Sequence, residues 1–204
     1  MVDVLSQNEI DALLAALSSG EMDAEELKKE ESQKKIRPYD FKRAVRFSKD
    51  HIRSLTRIHE NFARYLTTYF SAQLRTFVQI NVVQVEQLPY DEFIRSIPKM
   101  TILNIFTAEP LEGRMVLEVH PNVAFAMLDR LLGGPGAAPP KTSSLTEIEN
   151  IIMERMFVRA LDSLAEAWKT VIDITPRFEG LETNPQFMQI VSPNETIALI
   201  SLNT

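Results

Sequence analysis

The chain contains no cysteine, which excludes a disulfide framework and thiolate chemistry and fits a reducing compartment. No apolar run approaches the roughly 18 residues that a membrane-spanning helix needs. The start lacks a basic segment followed by an apolar one, so no secretory signal is expected. Positive charge is not in excess either. Lys and Arg number 22 against 28 Asp and Glu, and the net charge of −6 argues against general nucleic-acid binding. Enzymatic signatures are equally sparse. There is no Gly-x-Ser-x-Gly elbow, and the one glycine cluster follows an amphipathic segment with no Lys-Ser/Thr after it, so it is neither a Rossmann fingerprint nor a P-loop. His51, His59 and His120 have no metal-ligand spacing, and surface or capping roles are expected of them. No cofactor, no metal and no catalytic residue is expected.

What the chain does have is a hydrophobic content of 45%, enough for a sizeable core within its 204 residues, and an uneven charge. Pro38 to Arg75 carries a net +5, whereas Phe77 onward carries a net −7. Three of its six glycines and three of its eleven prolines fall in Leu131-Leu132-Gly133-Gly134-Pro135-Gly136-Ala137-Ala138-Pro139-Pro140. The chain on either side reads as two versions of one pattern. Ser54-Leu55-Thr56-Arg57-Ile58 returns as Ser144-Leu145-Thr146-Glu147-Ile148, and Pro98 to Ile105 returns as Pro193 to Ile200. Offsets of 90 and 95 residues in the same order point to a duplicated unit hinged at the glycine loop.

Residues 5–17 carry the marks of a short helix. Ser6 and Glu9 form a capping box, with Leu5 and Ile10 placed as a hydrophobic staple around it. Ile10, Leu13, Leu14 and Leu17 make one apolar stripe. Residues 21–37 come next with six acidic and five basic residues, a composition that cannot bury a core and reads as a disordered linker. A small amphipathic helix on a charged tether is the arrangement of a docking peptide, and this is favoured over packing on its own domain.

The globular part is expected from 38 to 204. Ser48 starts a long helix to about Arg75, with Ile52, Leu55, Ile58 (or His59), Phe62, Leu66, Phe70 and Leu74 inward. Lys49, Arg53 and Arg57 lie on another face, as a solvated stripe. Strands are expected at 77–88, 101–106 and 114–119, the last two joined by a hairpin, with a short turn or helix at Pro89-Tyr90-Asp91. Pro121 opens a helix that buries Val123, Met127, Leu128 and Leu131. Thr146 and Glu149 form a second capping box before a helix to about Val171, with Ile148, Ile152, Met156, Leu161, Leu164 and Trp168 inward. Strands at 174–181, 187–191 and 196–202 complete the pattern. By the repeat, a partner strand and a terminal helix should come next, so the chain is expected to be a piece of a longer protein. The expected fold is a three-layer α/β/α pseudo-symmetric domain with a continuous, mainly antiparallel sheet and long helices, preceded by a disordered tail.

The glycine loop supports two readings: a helix C-cap with a spacer, or a backbone left bare for close approach by another chain. Gly133 is the expected left-handed cap. That leaves Gly134 and Gly136 as positions where substitution should disturb contact and leave stability within about 1 kcal/mol.

Three stretches carry a family resemblance: Leu5-Ser6-Gln7-Asn8-Glu9-Ile10-Asp11-Ala12-Leu13-Leu14, Pro38-Tyr39-Asp40-Phe41-Lys42-Arg43 and Leu131-Leu132-Gly133-Gly134-Pro135-Gly136. With them the chain closely resembles the FliM family of bacterial flagellar motor switch proteins, over the family's N-terminal peptide (1–20), linker (21–37) and middle domain (38–204). The resemblance implies that Leu5, Ser6, Glu9, Ile10, Leu13 and Leu14 bind phosphorylated CheY. It implies that Gly133, Gly134, Pro135 and Gly136 contact FliG. It also implies neighbours, FliN and further copies of the chain, in a cytoplasmic ring at the inner-membrane face of the flagellar base. The fold would be similar to the CheC/CheX phosphatases, whose helices carry Asp or Ser, then Glu four residues on, then Asn three further. Here the two long helices offer Thr56, Glu60, Ala63 and Asn150, Glu154, Phe157. Without the amide that orients water, an adaptor is expected rather than an enzyme. A degenerate CheY phosphatase acting through Glu60 or Glu154 is the alternative.

Overall fold

The computed structural model describes residues 47–137 and 145–204. The docking-peptide residues and the linker therefore lie outside the described residues. The first helix, α1 (Lys49–Leu74), starts where its cap predicts: the Ser48 side chain accepts from the His51 amide, and Arg75 closes the far end in a left-handed conformation, φ 50°. Its apolar positions recur at helical spacing, so Ile58, Phe62, Leu66, Phe70 and Leu74 share one buried face. Strand β1 (Asn81–Pro89) leads directly into the short helix α2 (Tyr90–Ser96). Strands β2 (Ile102–Glu109) and β3 (Leu111–Val119) form a hairpin turned by Pro110 alone. Helix α3 (Pro121–Leu131) has proline in its first turn and is capped by His120, whose Nδ1 accepts from the Asn122 amide. Helix α4 (Glu147–Trp168) opens with the expected reciprocal box between Thr146 and Glu149, a device that contributes about 1 kcal/mol. Strands β4 (Thr175–Glu182) and β5 (Thr196–Asn203) complete the order. No helix among the described residues is long and apolar enough to cross a membrane.

Every strand pairing is antiparallel, as expected: β1 with β5, β2 with β3 and β2 with β4. The pairings interleave the two sequence repeats. Helix α1 matches α4, β1 matches β4, and β2 matches β5. Yet β1 pairs with β5, and β4 pairs with β2. Each half lends its first strand to the second strand of the other. The glycine loop is consequently not a hinge between self-contained halves.

Two further expectations are corrected. The sheet is not continuous but falls into a two-stranded and a three-stranded part. Met115–Glu118 of β3 and Ala198–Leu202 of β5 border an opening of about 550 Å³ where those two edges do not pair. The strand expected at 187–191 is also absent. Pro185 instead starts a single 3-10 turn, Pro185–Phe187, capped by Asn184. At the offset of 95, Pro185 to Val191 corresponds to Tyr90 to Ser96, so the turn is the second half's version of α2.

Three layers result. The helices α1, α3 and α4 cover one face, burying Ile102, Phe106 and Ala108 of β2 among Phe70, Leu128, Met153 and Phe157. Helix α2 and the 3-10 segment cover the other, where Leu103 meets Tyr90, Phe93 and Met188. The Tyr90 hydroxyl donates to the Met188 carbonyl at 2.5 Å and ties these two together. On α4, Ile148 is exposed rather than inward, at 71%. It lies five residues before the fully buried Met153, which at 100° per residue is about 140° around the helix.

Candidate functional site

The glycine loop is built by the last turn of α3. Leu132 ends the helix, and Gly133 turns left-handed at φ +94°. The Gly133 amide donates to the Arg130 carbonyl at 3.1 Å, and the Gly134 amide to the Asp129 carbonyl at 2.7 Å. This pair of bonds is a Schellman closure, for which glycine at the left-handed position is the low-strain choice. Two side chains then fasten the next residues of the loop. The Asp129 carboxylate accepts from the Gly136 amide at 2.7 Å. Arg130 donates through Nη1 to the Gly134 carbonyl at 3.2 Å. The same guanidinium reaches the C-terminal end of α1, with Nε on the Leu74 carbonyl at 3.2 Å and Nη2 on the Arg75 carbonyl at 2.8 Å.

This geometry corrects the expectation of bare backbone around the glycines. All three glycine N–H groups are satisfied from within the chain. It also removes Gly134 and Gly136 as clean probes. A Cβ at Gly134 would fall onto the Asp129 carboxylate, and one at Gly136, φ +84°, would stand 2.9 Å from Arg130 Cδ. We therefore expect Gly134→Ala to cost about 1–3 kcal/mol, as overpacking does. Gly136→Ala should cost about 1–2 kcal/mol from the left-handed backbone. Denaturant titration checks both; midpoints equal to that of the parent would contradict the clamp. The loop's outward groups are the Pro135 ring and the Leu132 side chain, the latter 68% exposed.

Asp129 and Arg130 were not singled out by the sequence. One signal was available: an arginine in the last helical turn is well placed to bond terminal carbonyls.

The long helices bear on the hydrolytic alternative. Glu60 and Glu154 are exposed, but the positions where an amide would orient water, Ala63 and Phe157, are 2% and 1% exposed within the core. Phe157 packs edge-on to Phe70, with centroids 6.2 Å apart. Among the histidines, His120 caps α3 and His51 lies exposed beside Phe47. His59, read both as an alternative to Ile58 on the inward face and as a surface histidine, lies edge-on between Phe62 and Trp168, and burial pushes its pKa down. No group of acidic or histidine residues able to hold a metal occurs among the described residues.

Comparison with known proteins gives a consistent result. Residues 48–204 match the family model described as flagellar motor switch protein FliM. The chain is 63% identical to flagellar motor switch protein FliM of Bacillus subtilis over 202 residues, covering 99% of this chain and 61% of the relative. It is 47% identical to FliM of Thermotoga maritima, covering 98% of this chain and 61% of that protein. It thus spans about three-fifths of the length of these curated relatives. Among solved structures, it resembles the FliM of a FliG–FliM complex from H. pylori, with TM-score 0.74 and 35% identity over 76% of this chain and 86% of that one. The FliM middle domain of the same organism matches with TM-score 0.70 and 33% identity over 76% of this chain and 84% of that one.

Proposed function

Since the chain belongs to the FliM family, we propose that it acts as a non-enzymatic coupling element of the flagellar motor switch, joining a signal-protein site to a rotor contact. In this reading Leu5, Ser6, Glu9, Ile10, Leu13 and Leu14, within residues 1–20, bind phosphorylated CheY. Residues 21–37 are the tether. The middle domain, 38–204, contacts FliG through Gly133, Gly134, Pro135 and Gly136, and stands in a cytoplasmic ring beside FliN and copies of itself. Direction of rotation is then set by how CheY docking changes the rotor contact.

The observation that carries this reading is the pre-formed turn at 132–136, presented on a fold that matches a FliM crystallised with FliG. A rigid, outward-facing turn loses little freedom on binding, which favours its use as a contact. No observation favours the phosphatase, because both amide positions are occupied by core side chains.

Pro135→Glu and Leu132→Glu are the appropriate probes, since both side chains are exposed and neither takes part in the loop's bonding. Each is expected to leave stability within about 0.5 kcal/mol and to weaken FliG binding at least about tenfold, a loss of ~1.4 kcal/mol. Calorimetric titration measures it. Unchanged affinity in both would remove the loop from the FliG contact.

A further inference from the structure

We propose that Asp129 and Arg130 are positioning residues, which hold the 133–136 turn in the one form that its protein partner recognises. The proposal rests on the reading of this loop as the FliG contact.

The arrangement exceeds what ending a helix requires. Closing α3 needs only the two backbone bonds to the Asp129 and Arg130 carbonyls. The Asp129 carboxylate goes further and captures the Gly136 amide, two residues past the closure. Arg130 fixes the Gly134 carbonyl with one nitrogen while its other two hold the carbonyls of Leu74 and Arg75. A planar fork of donors suits this task, because three acceptors on two segments are held by one rigid group. The turn is thereby fastened to the end of α1 as well as to its own helix. The two side chains also account for the glycines at 134 and 136, since each presses against the site where a Cβ would stand.

A consequence concerns recognition. With every glycine N–H already bonded inside the chain, a partner finds no free amide there. It must read the turn by shape and by the apolar surface of Pro135 and Leu132. Shape is a usable signal only if the turn is held still, and Asp129 and Arg130 supply that constraint.

The test uses the full chain and FliG in calorimetric titration, with amide exchange of Gly136 followed by NMR. Asp129→Ala is expected to weaken FliG binding about tenfold while shifting Tm by no more than about 3 °C. Gly136 exchange should rise at least about tenfold, because Asp129 is its acceptor. Asp129→Asn keeps an oxygen acceptor and should hold affinity within about threefold of the parent. Gly134→Ala, destabilising alone, should become nearly neutral on the Asp129→Ala background, where the obstructing carboxylate is gone. Should Asp129→Ala fail to fold, Arg130→Lys, which keeps the charge but loses the fork, is expected to weaken FliG binding several-fold.

If Asp129→Ala and Arg130→Lys bind FliG as the parent does while Pro135→Glu does not, the positioning role is overturned and the FliG contact stands. If Pro135→Glu and Leu132→Glu also bind unchanged, the contact is elsewhere and the proposal falls with it. Equal losses in Asp129→Asn and Asp129→Ala would likewise overturn it, since the acceptor oxygen would then not be what matters.

Discussion

Phe157→Asn, the change that would restore the missing amide of the phosphatase pattern, should unfold much of the protein rather than create an enzyme. Phe157 is 1% exposed and packs edge-on to Phe70. Removing such a ring costs about 3–5 kcal/mol. The amide left in its place would be short of partners and would add about 1–3 kcal/mol. Against a typical total of about 5–15 kcal/mol, the loss is severe. Denaturant unfolding of the variant measures it, and phosphate release from phosphorylated CheY measures the other half of the expectation. The folded fraction should give no acceleration, because position 157 faces the core while Glu154 faces solvent. A stable variant that shortened the lifetime of phosphorylated CheY would show that α4 retains a working hydrolytic face, and the adaptor reading would fail.

The second large effect is expected at the other end of the chain. Deleting residues 1–20 should leave the melting of the middle domain nearly unchanged, because the adjoining 21–37 segment offers almost nothing apolar to a core. Binding to phosphorylated CheY should fall much further. A buried apolar anchor such as Leu13 carries ~2 kcal/mol or more, which is about thirtyfold in affinity. Ile10→Asp or Leu14→Asp should each act in the same direction, since a carboxylate on the apolar stripe would have to be desolvated on docking. Intact binding by the truncated chain would end the docking role.

The parts of this fold legible in the sequence are those set by local chemistry. The capping residues Ser48 and Thr146 placed the starts of both long helices, because a side chain three residues from its amide partner needs no tertiary context. Helical periodicity found the buried face of α1 for the same reason. On α4 it misjudged Ile148, since a helix with Ile148, Ile151 and Val158 on one side and Met153, Phe157 and Leu161 on the other has two apolar faces. Only the neighbours determine which is covered. Beyond the β2–β3 hairpin, strand pairing was out of reach: the repeat showed that β2 and β5 are equivalents, but not that each half pairs with the other. At the loop, the glycines announced a site and its reason stayed hidden. Asp129 and Arg130 look like ordinary surface charges until the chain brings the Gly136 amide and the end of α1 beside them.

The interleaved strands have a mechanical meaning. Two halves merely laid side by side could part along a seam, and a force on one would reach the other only through side-chain contact. Here the seam does not exist. The ladder of β1 on β5 and the ladder of β2 on β4 each cross from one half to the other. Drawing the halves apart strains both sets of backbone hydrogen bonds together. A pull that separates the halves is therefore resisted by backbone ladders as well as by side-chain packing.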